Sequence, residues 1–181
     1  DEGARRAVQG EAVRGRRFLV VDDNETARRI VREALMHVGA IAVEEASSVG
    51  AGLSALRGAQ ADGRPFDAVI LDHMMPERDG FDFASGVQEY PDVAGTPMLM
   101  VTSAGMGSGR ARAREVGVQG YLSKPLSRAD LVSALGTLLG QTGYDGPERR
   151  LVTQETIVRS VGNTRILLAE DNAVNQQVAM A

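Results

Sequence analysis

Short apolar runs alternate along the chain with longer segments in which apolar residues recur at helical spacing. The apolar runs predict five strands, at about 17–21, 41–44, 67–71, 98–101 and 119–122. The longer segments predict five helices, at about 25–38, 47–58, 81–89, 108–116 and 127–139. Strands and helices that alternate in this way are typical of a parallel sheet covered on both faces. The pattern therefore predicts an α/β, doubly wound (βα)5 domain over residues 17–141.

Capping and turn-forming residues mark the ends of these elements. Asn24 or Asp23 is suited to cap the first helix. Ser47 or Ser48 is suited to begin the second, which the pattern ends near residue 58. Residues 58–65 contain two glycines and a proline, and they predict a loop that leads into the third strand.

The ends of the chain do not share this alternation. Residues 1–16 are polar and rich in arginine without a clear period, which predicts the tail of a preceding linker. Turn formers and charges follow the domain, and we expect a linker over 142–165. Residues 165–172 then echo residues 17–24, an apolar run that ends in two acids and an asparagine. We therefore expect 166–181 to be the truncated start of a second copy of the fold, and the chain to be a piece of a longer protein.

Composition narrows the range of possible functions. The chain contains no cysteine, which excludes disulfides, thiolate zinc sites and cysteine catalysis. The same feature agrees with a cytoplasmic location, which we expect. A net charge of -4 gives no electrostatic basis for binding nucleic acid, so no nucleic-acid partner is expected. No apolar run approaches the roughly 20 residues of a membrane span, and we expect no membrane contact by these residues.

A polar group stands where each of four predicted strands ends. Asp22 and Asp23 follow the first strand, and Asp72 follows the third. Thr102 follows the fourth strand, and Lys124 follows the fifth. The carboxyl ends of parallel strands meet at one edge of a sheet, where binding sites form. Three carboxylates, a hydroxyl and an ammonium group at that edge predict a magnesium site beside a phosphorylatable aspartate.

The acidic residues suit separate tasks in such a site. Mg²⁺ prefers oxygen ligands, and it neutralises the charges that keep two anions apart. Asp23 and Asp72 are the candidates for direct ligands, with Asp22 orienting one of the bound waters. The backbone carbonyl of Met74, just past Asp72, is the candidate for a further coordination position.

The lysine and the threonine suit contacts with phosphoryl oxygens. The ammonium group of Lys124 would act as a point charge on one oxygen. The hydroxyl of Thr102 would donate to another. Phosphorylation adds about -1.5 to -2 charge and three strong acceptors. Thr102 would therefore be drawn inward when Asp72 is modified, which makes it a candidate switch.

Each of these residues also has a simpler interpretation. Asp22 and Asp23 could cap a helix, because acids stabilise a helix N-terminus. Lys124 could be a solvated surface charge, and Thr102 an ordinary residue at a strand end. His73 is expected to be packed or partly exposed, because its side chain should point away from that of the preceding aspartate.

The polar residues lie in four motifs that occur in order along the chain. These motifs are Asp22-Asp23-Asn24, Leu71 to Gly80, Val101-Thr102-Ser103-Ala104 and Tyr121-Leu122-Ser123-Lys124-Pro125. Over about residues 17–141 they closely resemble the response-regulator receiver domains of two-component signalling. The resemblance implies a flavodoxin-like sheet of strand order 2-1-3-4-5 and a phosphoryl group accepted from a histidine by Asp72 with Mg²⁺. It further implies signalling through the face of the fourth helix, fifth strand and fifth helix, with Tyr121 as the aromatic that rotates with Thr102.

The echo near the end of the chain resembles the opening of the second receiver in a hybrid sensor histidine kinase. This implies the first of two tandem receivers, with a second receiver in cis. The implied phosphodonor is a histidine kinase core or a histidine phosphotransfer domain. An alternative is a receiver that acts as an autoinhibitory or ligand-sensing interaction module, with the second receiver as the relay point. A haloacid-type phosphatase is disfavoured, because Met74 stands where a second acid would follow Asp72.

Overall fold

Five parallel strands form one sheet. The structure, a computed structural model, describes residues 11–103, 109–140 and 151–160. The strands are β1 (Arg17–Val21), β2 (Ala42–Ala46), β3 (Ala68–Asp72), β4 (Met98–Thr102) and β5 (Gly120–Ser123). Their order across the sheet is β2-β1-β3-β4-β5, which confirms the expected order 2-1-3-4-5. The strand order reverses between β1 and β3, the place where open parallel sheets bind their ligands.

Helices cover both faces of the sheet. They are α1 (Glu25–His37), α2 (Val49–Ala61), α3 (Gly80–Gln88), α4 (Arg110–Glu115), α5 (Arg128–Gly140) and α6 (Gln154–Ser160). Successive strand side chains point to opposite faces. Val69 and Leu71 of β3 therefore pack with α2 and α3 in one core. Ala68 and Ile70 pack with α1 and α5 in the other. The doubly wound α/β class is confirmed.

Side chains cap the helices much as the sequence suggests. Asn24, rather than Asp23, accepts the N–H of Ala27 at the start of α1. Ser48, rather than Ser47, begins α2 in the same way. Ser127 accepts the N–H of the third residue of α5. Caps of this kind satisfy N–H groups that have no partner within the helix, so they fix where the chain turns from each strand into the next helix.

The second helix is longer than its sequence suggests. The predicted loop over 58–65 is helical as far as Ala61, and the chain turns only at Gly63, whose φ is 67°. A glycine inside a helix costs about 1 kcal/mol relative to alanine. In α2 this is offset by burial, because Leu56 is 1% exposed and Ala59 packs on the same core. The loop prediction is therefore wrong for residues 58–61.

Two segments expected to be linkers also pack on the domain. Val13, within the predicted tail 1–16, is fully buried in the core beneath α1 and α5. Part of the predicted linker 142–165 is folded as well, since Val152 bridges to Gly120 of β5 and α6 follows it. In both segments the apolar side chains are few, but they fall at the edge of an existing core and are buried there. The expected second copy at 166–181 lies outside the described residues.

Candidate functional site

The carboxyl ends of the strands carry the polar residues that the sequence singles out. Asp22 and Asp23 follow β1, and Asp72 is the last residue of β3. Thr102 ends β4, and Lys124 follows β5. Because the strands are parallel, all of these positions lie at one edge of the sheet. The structure brings the three acids together and places two of them, Asp22 and Asp72, beside the lysine. The threonine lies on the strand next to Asp72.

The three acids form a cluster. Oxygen atoms of Asp22, Asp23 and Asp72 lie within 4.8 Å of one another. Asp22 and Asp72 are buried, at 8% and 5% exposure, whereas Asp23 is exposed. Like charges held this close repel one another, and a bound cation relieves that repulsion. Hard carboxylate oxygens with an excess of negative charge, open to solvent at Asp23, are a donor set that fits Mg²⁺.

The two buried carboxylates are held in the same way. Asn24 N donates to Asp22 Oδ1 at 2.8 Å. Met74 N donates to Asp72 Oδ2 at 2.8 Å. Each donor lies two residues after the acid, which is the pattern of an Asx turn. The other oxygens face Lys124, whose Nζ lies 2.7 Å from Asp72 Oδ1 and 3.6 Å from Asp22 Oδ2. Each buried acid therefore has one oxygen fixed by the backbone and the other turned toward a cation.

Met74 lies at the open side of the site. Its side chain is 62% exposed, while its backbone N–H is engaged by Asp72. The next residue, Met75, turns back into the core. The backbone at Met74 is thus tied to the buried acid, whereas its thioether contributes nothing to the cluster.

Burial and neighbouring charges act on the titration of Asp22 and Lys124. Burial raises the pKa of Asp22, the hydrogen bond from Asn24 N lowers it, and the charge of Asp72 raises it, so that the pKa lies above its ordinary value. Partial burial acts to lower the pKa of Lys124. The hydrogen bond and the charge of Asp72 outweigh that effect, and the pKa of the lysine is raised. The site thus favours a protonated lysine, and it holds a carboxylate at Asp22 against an unfavourable environment.

Replacing Asp22 with asparagine should stabilise the fold in the absence of Mg²⁺. The folded chain binds the Asp22 proton more tightly than the unfolded chain, so its unfolding free energy falls as pH rises from 3.8 through the raised pKa. Asparagine keeps the acceptor for Asn24 N and does not titrate. We expect the unfolding free energy near neutral pH to rise by roughly 1 kcal/mol, the usual size of a single stabilising substitution, measured by urea denaturation in EDTA. The gain should vanish below the ordinary pKa, and saturating Mg²⁺ should reduce or reverse it. Equal midpoints in EDTA at neutral pH would contradict this account.

Thr102 contacts His73, a residue for which the sequence predicts no role in the site. Its side chain is fully buried, and its Oγ1 lies 3.0 Å from His73 Nδ1. The imidazole stacks edge-on against Phe81, with the ring centroids 4.8 Å apart. His73 does point away from Asp72, as predicted, but that direction leads to the threonine. The register explains this, because Asp72 pairs with Val101 and the next residues on the two strands come level.

Tyr121 is enclosed beneath the start of α4. It is 1% exposed and belongs to the core that contains Phe81 and Met100. A β-carbon added at Gly109 would collide with the hydroxyl oxygen of Tyr121. The absence of a side chain at Gly109 therefore leaves the space in which the tyrosine ring lies. Any outward rotation of Tyr121 would change its contact with the residue that precedes α4.

Comparison with known proteins agrees with this geometry. The family model described as "Response regulator receiver domain" matches residues 18–136. The chemotaxis protein CheY4 of Vibrio cholerae is 29% identical, with a TM-score of 0.62 over 68% of this chain and 98% of that chain. The sensor histidine kinase CheAY of Helicobacter pylori is 38% identical over 109 residues. The response regulator MprA of a Mycobacterium species is 35% identical over 138 residues.

The matched region is only a part of these curated relatives. The alignments cover 60% of this chain but 13% of CheAY, and 76% of this chain but 56% of MprA. The similarity therefore concerns one domain, and the rest of each relative lies outside the alignment. Within the part of the chain that the structure describes, every helix is too short or too polar to span a membrane.

Proposed function

Since the chain belongs to the response regulator receiver family, we propose that Asp72 accepts a phosphoryl group from a phosphohistidine at a Mg²⁺ site. The observation that carries this proposal is the setting of Asp72. Its carboxylate is buried, fixed by Met74 N, paired with Lys124 and flanked by two further acids. A carboxylate that served only to stabilise the fold would gain nothing from two like charges within 4.8 Å.

The proposed chemistry assigns a role to each group. A carboxylate oxygen of Asp72 attacks phosphorus as the bond from phosphorus to the histidine nitrogen breaks, and the ring leaves with the electron pair. Asp23 and Asp72 would hold Mg²⁺, with the Met74 carbonyl as a further ligand and Asp22 orienting a bound water. The ion would neutralise charge on the attacking carboxylate and on the phosphoryl group. Lys124 would move from its ion pair to a phosphoryl oxygen.

A groove beside the site supports a helical partner as the phosphodonor. The groove has a volume of about 270 Å³ and runs between α1 and α5, where Ala34 and Leu131 contribute to its apolar walls. Ile30, also in the wall, is 60% exposed. Asp72 and Lys124 line the same groove. A helix that lays an apolar face there would bring its histidine to the aspartate. We propose a histidine kinase core or a histidine phosphotransfer domain as that partner.

The proposed switch connects the site to the face formed by α4, β5 and α5. Thr102 would leave its contact with His73 when it donates to a phosphoryl oxygen. Tyr121, which lies under Gly109 at the start of α4, would rotate with it. The two side chains belong to neighbouring strands, with Met100 of β4 paired with Tyr121 of β5. A change at Asp72 would therefore reach α4 and the edge of the sheet.

The wider context proposed is a hybrid histidine kinase. Two observations support it: one relative is a sensor histidine kinase, and residues 165–172 echo the start of β1. The second receiver in cis would follow this domain. Because such a kinase draws its phosphoryl group from ATP, the receiver would work in the cytoplasm. The alternative is an autoinhibitory interaction module, with the second receiver as the relay point. In the full-length protein, loss of Asp72 would then change basal kinase activity and leave relay intact.

Phosphorylation by phosphoramidate tests the proposed function. This small molecule carries the same type of phosphorus–nitrogen bond as phosphohistidine. We expect the intact chain to gain one phosphoryl group in Mg²⁺, measured by mass spectrometry. The rate of labelling should fall at least about tenfold in EDTA, because no cation then neutralises the repulsion between the Asp72 carboxylate and the phosphoryl group. Labelling that is equally fast in EDTA would overturn the magnesium site.

A further inference from the structure

A segment after α5 closes the open edge of the sheet. β5 is the last strand in the sheet order, so its outer edge would otherwise lack a partner. Val152 N donates to Gln119 O at 2.8 Å, and Tyr121 N donates to Val152 O at 2.8 Å. We call residues 151–157 the strap. The strap therefore binds β5 at Tyr121, the aromatic of the proposed switch.

The next residue of the strap that bonds β5 is Gln154, which does so through its side chain. Its Oε1 accepts from Ser123 Oγ at 2.6 Å and from Ser123 N at 3.2 Å. Its Nε2 donates to Ser123 O at 3.1 Å. Ser123 immediately precedes Lys124, the cation of the acidic site. One side chain thus holds both backbone polar groups of the residue next to that lysine.

The strap also reaches both helices that flank β5. Glu155 pairs with Arg110 of α4, with Arg110 Nη2 at 3.1 Å from Glu155 Oε1. α6 packs against α5. Leu151 joins the core that contains Tyr121, and Ile157 joins the opposite core with Leu131. The strap thereby covers part of the face formed by α4, β5 and α5.

This contact is made in a particular state of the site. Lys124 is paired with Asp72 and Asp22, and Thr102 is held at His73. Under the proposed function, phosphorylation draws Lys124 and Thr102 to the phosphoryl group and rotates Tyr121. Each of these shifts lies beside a residue of β5 that the strap binds, because Thr102 of β4 pairs with Ser123 and Lys124 follows Ser123. A segment that fits one of two states favours that state, and the effect is reciprocal.

We propose that the strap is a latch on the unphosphorylated receiver, which phosphorylation of Asp72 releases. The proposal rests on the proposed function and extends it to a device within the chain. The echo of β1 begins soon after the strap. If residues 151–157 are released, they could lengthen the connection between this domain and the echo of β1 by about 20 Å, at roughly 3.3 Å per residue. The latch would therefore control how far a following domain can move from this one.

Hydrogen exchange with beryllofluoride, which binds an aspartate as a phosphoryl mimic, tests the latch in the unaltered chain. We expect the Tyr121 and Val152 amides to exchange at least about five-fold faster in beryllofluoride and Mg²⁺. The amides of Asn24 and Met74, bonded to Asp22 and Asp72, report whether the site has been loaded. Loading with unchanged or slower exchange at Tyr121 and Val152 overturns the latch alone. No response at Asn24 and Met74 overturns the proposed function, and the latch with it.

A double variant supplies the reciprocal test. Gln154→Ala with Glu155→Ala removes the bonds to Ser123 and the ion pair to Arg110. If the strap favours the unphosphorylated state, the variant should be labelled by acetyl phosphate at least about five-fold faster. Glu33→Ala, which changes an exposed acid on α1, serves as the matched control and should leave the rate unchanged. Equal or slower labelling of a folded double variant, with the control normal, contradicts the latch.

Discussion

Asparagine at position 72 should abolish covalent labelling of the chain by acetyl phosphate in Mg²⁺ while the fold survives. The neutral amide is a poor nucleophile toward phosphorus and a weak ligand for Mg²⁺, so both requirements of the reaction are lost together. We expect labelling to fall at least about 100-fold, because the attacking group is lost and not merely displaced. Intact mass reports the phosphoryl group, and circular dichroism reports the fold.

The fold should tolerate this change for a specific reason. The asparagine keeps an oxygen that can accept from Met74 N, the bond that fixes this side chain. It also removes a negative charge from a buried position beside Asp22. Asp67→Asn is the matched control, because Asp67 precedes β3 at its other end and bonds Arg16 and Arg17. Labelling that persists in the Asp72 variant, or that is lost equally in the control, would sink the assignment.

Asparagine at position 23 should weaken Mg²⁺ binding at least about tenfold with little change in the unfolding free energy. Asp23 is the exposed member of the acidic cluster, so it can take a ligand without a rearrangement of the core. Loss of a supporting side chain around a metal typically weakens affinity 10- to 100-fold, and loss of a direct ligand should cost no less. Isothermal titration with MgCl₂ measures the dissociation constant.

The control for this experiment lies close by in the sequence. Glu25, at the start of α1, carries the same charge but is outside the acidic cluster. Glu25→Gln should leave the Mg²⁺ affinity within about two-fold, because Glu25 is exposed and is not a member of the cluster, and an exposed charge interacts only weakly through water and salt. Equal Mg²⁺ affinities for the Asp23 variant and the unaltered chain would show that Asp23 is not a ligand of the ion.

The sequence predicts the sheet and the site because both follow from short-range patterns. Each apolar run ends in a polar residue, and parallel strands bring such ends together. The cluster of Asp22, Asp23 and Asp72 with Lys124 therefore needs only the order of the strands. The strand order is implied by the family resemblance, because alternation of elements by itself does not set it.

Contacts that depend on register or on a few apolar residues are harder to predict. His73 meets Thr102 only because β3 and β4 pair with Asp72 opposite Val101, and a shift of one residue would separate them. The strap has three buried apolar residues among polar ones, and nothing in its own pattern shows that it closes the edge of β5. The extension of α2 through Gly58 likewise depends on packing, which outweighs local propensity.

The most direct test of the central claim is chemical trapping of the phosphorylated residue. The chain is treated with phosphoramidate and Mg²⁺, reduced with borohydride, digested and sequenced by mass spectrometry. Borohydride converts an aspartyl phosphate into homoserine, and it leaves free carboxylates unchanged. We expect homoserine at position 72 alone. Homoserine at Asp22 or Asp23 instead, or a phosphoryl group carried on a different type of residue, would contradict the assignment of Asp72 as the acceptor.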